Sequence, residues 1–275
     1  MSPPFIAFIG AGNMASSIIG GLIAKGFPAD NIRASDPFPQ SLVELEKVAA
    51  VETFQDNLQA VVGVDIIVLA VKPQVMKSVL ENLATAFETA KPLIISIAAG
   101  IETRSLDKWL GGGFPIIRCM PNTPALVQTG ATALYANAIV NPAQREYAND
   151  ILGAVGIALW VDEEASLDAV TAVSGSGPAY FFMVMEAMQA AGEKLGLSVD
   201  VSKQLTLQTA LGAAKMAMES DVDAAELRRR VSSPGGTTVE AINVFEQAEL
   251  TEIFSTAMTA CRDRSEELAK VLDAG

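Results

Sequence analysis

The sequence predicts a doubly wound α/β sheet followed by an all-helical domain, and three observations predict it. Short apolar runs alternate with helically spaced segments from Phe5 to Val161, as expected where helices cover both faces of a mostly parallel sheet. A glycine-bearing turn, Gly10-Ala11-Gly12-Asn13-Met14-Ala15, joins the first such run to the first helical segment. After Asp162 only helical spacing remains. The expected domains are therefore residues 1–162 and residues 163–275.

The first strand is Phe5 to Ile9, five apolar residues read as a buried parallel strand. Gly10, Gly12 and Ala15 follow at the G-x-G-x-x-G/A spacing of a dinucleotide-binding turn. Gly10 allows the tight turn, Gly12 lets backbone N–H groups approach a pyrophosphate, and Ala15 lets the helix pack close to the strand. The phosphates would meet Gly12, Asn13 and Met14 at the helix N-terminus, where unpaired N–H groups and the dipole favour negative charge. A glycine-rich strand-to-helix turn is common by itself, so its context matters. Helical spacing runs through Met14, Ile18, Ile19, Leu22 and Ile23 until Gly26 stops it, and a second strand, Ile32 to Ser35, ends at Asp36-Pro37. That completes a strand, helix, strand unit with polar groups about 20 residues beyond Ala15, where an adenosine ribose is read.

A third strand is placed around Ala49 to Thr53, before a short helix near Asn57 to Val62. The fourth, Asp65 to Val71, ends at Lys72-Pro73, and residues 74–86 show helical spacing through Val75, Val79, Leu80 and Leu83. A fifth, Leu93 to Ala98, ends at Ala99-Gly100, and a sixth, Pro115 to Cys119, ends at Met120-Pro121-Asn122. Thr132 to Tyr135 and Ile157 to Val161 extend the sheet edge. Ligands of such sheets lie outside the carboxyl ends of the strands. Gly10 to Met14, Ser35, Val71 to Pro73, Ala98 to Gly100 and Met120 to Thr123 are therefore expected to converge.

In the second half, Glu163 to Val173 reads as a helix broken by Ser174 to Gly177. A long helix from Pro178, placed as an N1 residue, runs to Leu195 and is stopped by Gly196. Further helices cover Val201 to Met218, Ala224 to Val231, Thr238 to Gln247 and Thr251 to Leu272. The two long central ones carry Ala, Met and Leu on nearly every face, so association with another subunit is expected. Between two helices lies Ser232-Ser233-Pro234-Gly235-Gly236-Thr237-Thr238-Val239-Glu240. Thr237 and Glu240 fit a capping box; the same segment also suits a carboxylate held at a helix N-terminus. One threonine could cap while the other faces a ligand.

Composition narrows the chemistry. With 32 acidic and 19 basic side chains the net charge is −13, which argues against nucleic acid or an anionic membrane as partner. Cys119 and Cys261 have no metal spacing, and no metal site is expected. Met1-Ser2-Pro3-Pro4 shows no basic leader and no apolar run is long enough to span a bilayer, so a soluble cytoplasmic protein is expected. There is no histidine, which excludes Ser-His-Asp triads, His-ligated zinc and dehydrogenases that move the alcohol proton with His.

Taken together, Phe8 to Met14, Ala70 to Pro73, Ser96 to Gly100, Arg118 to Pro124, Ser174 to Tyr180 and Ser232 to Thr238 resemble the motifs of the pyrroline-5-carboxylate reductase family, in order and over essentially the whole chain. The resemblance implies a Rossmann-type domain and an all-α dimerisation domain that also serves the substrate. It implies reduction of 1-pyrroline-5-carboxylate to proline with NADPH, NADH also being used, in a homodimer or a larger assembly of dimers completed by the neighbour's helices. Ser233, Gly235, Gly236, Thr237 and Thr238 would bind the substrate carboxylate, with Thr238 as the catalytic hydroxyl. Ala98, Ala99, Gly100, Met120 and Asn122 would flank the nicotinamide, Val71, Lys72 and Pro73 would lie on the cofactor side, and Ser35 and Asn57 would offer neutral donors to a 2′-phosphate that the adjoining Asp36 repels. Lys72 also suits a solvated strand end. A β-hydroxyacid dehydrogenase shares the two-domain plan, but Gly212-Ala213-Ala214-Lys215 is followed by Glu219 where that family's helix places asparagine. A nucleotide-binding regulator without turnover is the alternative of a different class.

Overall fold

The computed structural model describes residues 3–87 and 91–274. Met1 and Ser2, used in the leader argument, and Gly275, the end of the expected second domain, lie outside them. Two compact units are formed, one from Met1–Ser176 with Ala260–Gly275 and the other from Gly177–Thr259.

The first unit holds an eight-stranded sheet of β1 (Ile6–Ile9), β2 (Ile32–Ser35), β3 (Glu52–Phe54), β4 (Ile66–Leu69), β5 (Leu93–Ser96), β6 (Ile116–Met120), β7 (Gly130–Ala136) and β8 (Gly156–Trp160). The spatial order is β3-β2-β1-β4-β5-β6-β7-β8. Every neighbouring pair is parallel except β6 and β7, which run antiparallel. The strand order reverses between β1 and β4, the switch point at which doubly wound sheets bind ligands.

Helices α1 (Asn13–Ala24), α2 (Pro39–Glu46), α3 (Asn57–Ala60), α4 (Pro73–Leu83), α5 (Thr103–Trp109), α6 (Pro142–Gly153) and α7 (Ser166–Val170) complete this unit's main elements. Both sheet faces are covered. Ile6 and Phe8 of β1 face a core shared with α1, α2 and α6, whereas Ala7 and Ile9 face one shared with α4 and α5. Double burial is why β1 and β4 read as unbroken apolar runs. The helices α2, α5 and α6 escaped the sequence reading. For α6 a signal existed: Asn141 and Gln144 form a reciprocal capping box ahead of Pro142.

The expected break at Ser174 to Gly177 is narrower than read. From Thr171 to Gly175 the chain makes a π turn, in which the Ser176 N–H donates to the Thr171 carbonyl at 2.8 Å, and α8 (Gly177–Lys194) opens immediately after Ser176. Pro178 is accordingly the second residue of α8.

The second unit contains α8, α9 (Val199–Glu219), α10 (Ala224–Arg230), α11 (Thr237–Gln247) and the first part of α12 (Leu250–Ala274). α8 and α9 pack through small groups: the Ser202 hydroxyl donates to the Gln189 carbonyl at 2.8 Å, and Gly192 leaves the room that Ser202 occupies. Between residues 177 and 259 only Gly177, Ser202 and Thr206 are buried. Phe181, Phe182, Met183, Leu211 and Met216 are all more than half exposed. A helical unit with no apolar core of its own needs a further surface to cover these side chains. In sedimentation at micromolar concentration the chain should run as a dimer or larger, with a melting temperature that rises with protein concentration. A stable 28.8 kDa species under those conditions would contradict this.

Candidate active site

At the end of β1 the two glycines have different physical reasons. Gly10 has φ +99°, and a Cβ there would lie 2.7 Å from the Ala70 carbonyl oxygen, so the fold itself demands glycine. Its N–H donates to the Ser35 carbonyl at 2.7 Å, tying the loop to β2. Gly12 has φ −75°, and a Cβ there would meet nothing within 4 Å. Among the described residues no contact explains it. Gly12 is the N-cap of α1, where no side chain caps the N–H groups and no acidic residue occupies the first turn. Open space before an uncapped N-terminus suits a bound anion, and these residues fit the pyrophosphate of a dinucleotide. Asn13 beside it is exposed, Met14 half-buried, and Ala15 is packed into the core as expected.

At the end of β2, Ser35 is fully buried and its hydroxyl donates to Asn57 Oδ1 at 2.7 Å. Only the half-buried Asn57 of this pair reaches the surface, and among the described residues its NH2 group has no acceptor. Asp36, expected to adjoin this pair and repel a 2′-phosphate, has both carboxylate oxygens engaged by backbone. Asp36 Oδ2 accepts the Ala11 N–H at 3.0 Å and Oδ1 accepts the Phe38 N–H at 2.9 Å.

The segments that follow β4 and β5 border a cavity of about 520 Å³ whose lining includes Pro73, Gly100, Thr171, Ser176, Cys261 and Arg264. Lys72 is exposed at the N-cap of α4, its side chain making no capping bond, and Pro73 is the first helical residue. Val71 is half-buried, Ala98 buried and Ala99 exposed; Gly100, buried with φ +75°, turns the chain toward α5. Met120 is half-buried, and its terminal methyl lies where a Cβ on Gly175 would be. Asn122 is a strut: its Nδ2 donates to the Ser174 carbonyl at 3.0 Å and its Oδ1 accepts the Ala131 N–H at 2.9 Å.

The sequence reading missed Thr171, Ser176, Cys261 and Arg264 in this cavity, because only tertiary packing brings 171–176 and 261–264 to the strand ends. Cys261 Sγ lies 3.2 Å from the Ser176 hydroxyl. Cys119 is buried, which pushes its thiol well above the ordinary range, and neither cysteine is in a disulfide. Among the described residues no cluster suits a metal ion, and no helix is long and apolar enough to cross a membrane. Also missed was a largely buried clamp around Arg118. Glu164 accepts the Thr103 N–H and hydroxyl, each at 2.7 Å, and pairs with Arg118 Nη1 at 3.2 Å. It thereby ties the segment after β5 to β6.

In the helical unit, Gly235 (φ +72°) closes a turn in which the Gly236 N–H donates to the Ser233 carbonyl at 2.9 Å. Gly236 takes the N-cap conformation, so α11 begins at Thr237. The expected Thr237–Glu240 capping box does not form, because the turn starts the helix one residue earlier and leaves Thr237 inside its first turn. Ser233, Thr237 and Thr238 are exposed, and among the described residues neither threonine hydroxyl has a hydrogen-bond partner. The arginines just before are paired: Arg229 and Arg230 bond Glu226, holding its carboxyl down at about 2, and Arg228 lies 3.7 Å from Glu246.

A glycine-opened, uncapped helix at the switch point of a doubly wound sheet marks a dinucleotide-binding protein. Comparison with known proteins specifies which kind. A family model described as pyrroline-5-carboxylate reductase dimerisation matches residues 164–268, and one described as NADP oxidoreductase, coenzyme F420-dependent, matches residues 5–100. A pyrroline-5-carboxylate reductase of Pseudomonas aeruginosa is 57% identical over 272 residues, covering 99% of each chain. The solved structure of a pyrroline-5-carboxylate reductase from Coxiella burnetii has TM-score 0.93 at 45% identity, covering 96% of this chain and 98% of that one. The Plasmodium falciparum pyrroline carboxylate reductase, solved with NADP bound, has TM-score 0.85 at 31% identity, covering 98% and 99%. The chain belongs to the pyrroline-5-carboxylate reductase family.

Two variants separate the glycines. Gly10→Ala should destabilise the fold by about 2 kcal/mol or more, whereas Gly12→Ala should leave the melting temperature unchanged or slightly raised. Gly12→Ala should nevertheless weaken nucleotide binding at least about tenfold, read by fluorescence titration, because its methyl enters the phosphate space. Unimpaired binding would refute that placement. Glu164→Ala should cost about 3 kcal/mol in urea denaturation, by leaving Arg118 buried and unpaired, and adding Arg118→Met should recover about half.

Proposed function

We propose that this protein reduces 1-pyrroline-5-carboxylate to proline at the expense of NADPH, with NADH also accepted. The observation that carries the reading is full-length identity of 57% to a protein bearing that name. In this reading residues 1–162 serve the dinucleotide and 163–275 serve association and the substrate. The assembly is a homodimer or a larger oligomer of dimers, and the protein is cytoplasmic.

The bound cofactor supplies a hydride. The residues assigned to hold it are Gly10, Gly12, Asn13 and Met14 for the pyrophosphate and Asn57, oriented by Ser35, for the 2′-phosphate. Val71, Lys72, Pro73, Ala98, Ala99, Gly100 and Met120 are assigned to the nicotinamide half, with Asn122 holding that wall in place. Absence of histidine is no obstacle, since a substrate bound as its protonated iminium becomes a neutral amine when hydride reaches the C=N carbon. The chain's work is then positioning and electrostatics.

For the substrate carboxylate we assign the Ser233 to Thr238 segment. Support comes from the uncapped start of α11, with the dipole and the N–H groups of Thr237 and Thr238 and the uncommitted hydroxyls beside them. Thr238 is assigned the contact with the ring nitrogen or carboxylate.

Steady-state assays with the imine and each reduced cofactor test the activity, and oxidation of neither would refute it. NADPH should lead modestly; an NADH advantage above about tenfold in kcat/KM, roughly 1.4 kcal/mol, would reverse that assignment. Thr238→Ala should lower kcat/KM for the imine about tenfold to a hundredfold, with NADPH affinity and melting temperature nearly unchanged. Thr237→Ala, at a position that is not the cap, should alter stability by no more than about 0.5 kcal/mol. If Thr238→Ala keeps full turnover, the carboxylate is held elsewhere.

A further inference from the structure

Asp36 stands just after β2, where an acidic side chain ordinarily pairs with the hydroxyls of an adenosine ribose and so marks preference for the unphosphorylated dinucleotide. Here that side chain is engaged elsewhere. It is only 9% exposed, and each of its two oxygens accepts a backbone N–H, Oδ2 from Ala11 at 3.0 Å and Oδ1 from Phe38 at 2.9 Å. The adjoining backbone is fastened too, with the Gly10 N–H on the Ser35 carbonyl and the Asp36 N–H on the Phe54 carbonyl at 3.1 Å. The glycine loop is thus tied to the end of β2 twice, once through backbone and once through this carboxylate.

We infer that Asp36 is a positioning residue that holds the glycine loop in its phosphate-receiving shape and does not read the ribose. Turning the carboxylate toward a ribose would leave the buried Ala11 N–H without an acceptor. The same bond removes the Ala11 N–H from the donors that could meet the pyrophosphate, leaving that role to the uncapped start of α1. Part of the carboxylate's charge is compensated by the two N–H groups. Asn57, whose carbonyl is taken by Ser35 and whose NH2 remains, is the polar group left to distinguish a 2′-phosphate from a hydroxyl. An acid at this position therefore does not make the protein NADH-specific.

This inference rests on the dinucleotide reading of the site, and the experiment separates the two. Dissociation constants of NADPH and NADH are measured without substrate, by fluorescence titration of the wild type and Asp36→Asn, alongside melting temperature. Asparagine offers an oxygen to one N–H but turns an NH2 on the other. Both constants should therefore rise at least about fivefold while their ratio stays within about threefold. A ratio that moves more than about tenfold, with NADPH binding kept or improved, shows that the carboxylate reads the ribose and overturns the inference. Unchanged binding of both nucleotides overturns it as well. Should Asp36→Asn not fold, amide hydrogen exchange in the nucleotide-free wild type decides. The Ala11 amide should be protected at least about tenfold over Gly12 and Asn13, and equal exchange would refute the strut. A wild type that binds neither nucleotide overturns the dinucleotide reading and this inference with it.

Discussion

The approach of Gly10 to Ala70 is the contact on which the rest of the site depends. β1 and β4 are adjacent parallel strands, and the chain leaving β1 must turn up immediately over the end of β4 to start α1. A Cβ at Gly10 would strike the Ala70 carbonyl at 2.7 Å, and its φ of +99° is closed to ordinary side chains. From that turn follow the placing of the α1 N-terminus, the hydrogen bond to the Ser35 carbonyl and the register of β1 against both neighbours.

Around this turn the strand ends are fastened by buried polar side chains bonded mainly to backbone. Asp36 ties the glycine loop to β2, Asn122 ties the end of β6 to β7 and the π turn, and Glu164 ties the segment after β5 to β6 through Thr103 and Arg118. Burial makes each bond expensive to lose, because the freed partner has no water to turn to. The expected result is a rigid surface on which a ligand is oriented by fixed dipoles, which suits chemistry that asks for positioning more than for proton transfer.

The helical unit follows a different rule. Its α8 and α9 approach closely through Gly192 and Ser202, and nearly all of its large apolar side chains stay uncovered. Its stability is therefore tied to association, and the family model that matches this half is named for dimerisation.

What the sequence determined by itself was whatever depends on local pattern. A strand buried on both faces is apolar along most of its length, so β1 and β4 were legible as unbroken runs and β5 and β6 as runs carrying one polar residue each, Ser96 and Arg118, and the glycine spacing and Gly26 and Gly196 stops followed from backbone sterics within a few residues. The carbonyl ends of those strands, and with them Gly10 to Met14, Val71 to Pro73 and Ala98 to Gly100, could be grouped because sheet topology has few solutions. Tertiary structure alone decided the rest. Whether the Asp36 carboxylate points at a ligand or at Ala11, whether Thr237 or Gly236 caps α11, and that Glu164 meets Thr103 and Arg118 all depend on which donors and acceptors lie opposite in space. A one-dimensional pattern records that a residue is polar, but the direction of its hydrogen bonds is set by partners far along the chain, 61 residues away in the case of Thr103 and Glu164.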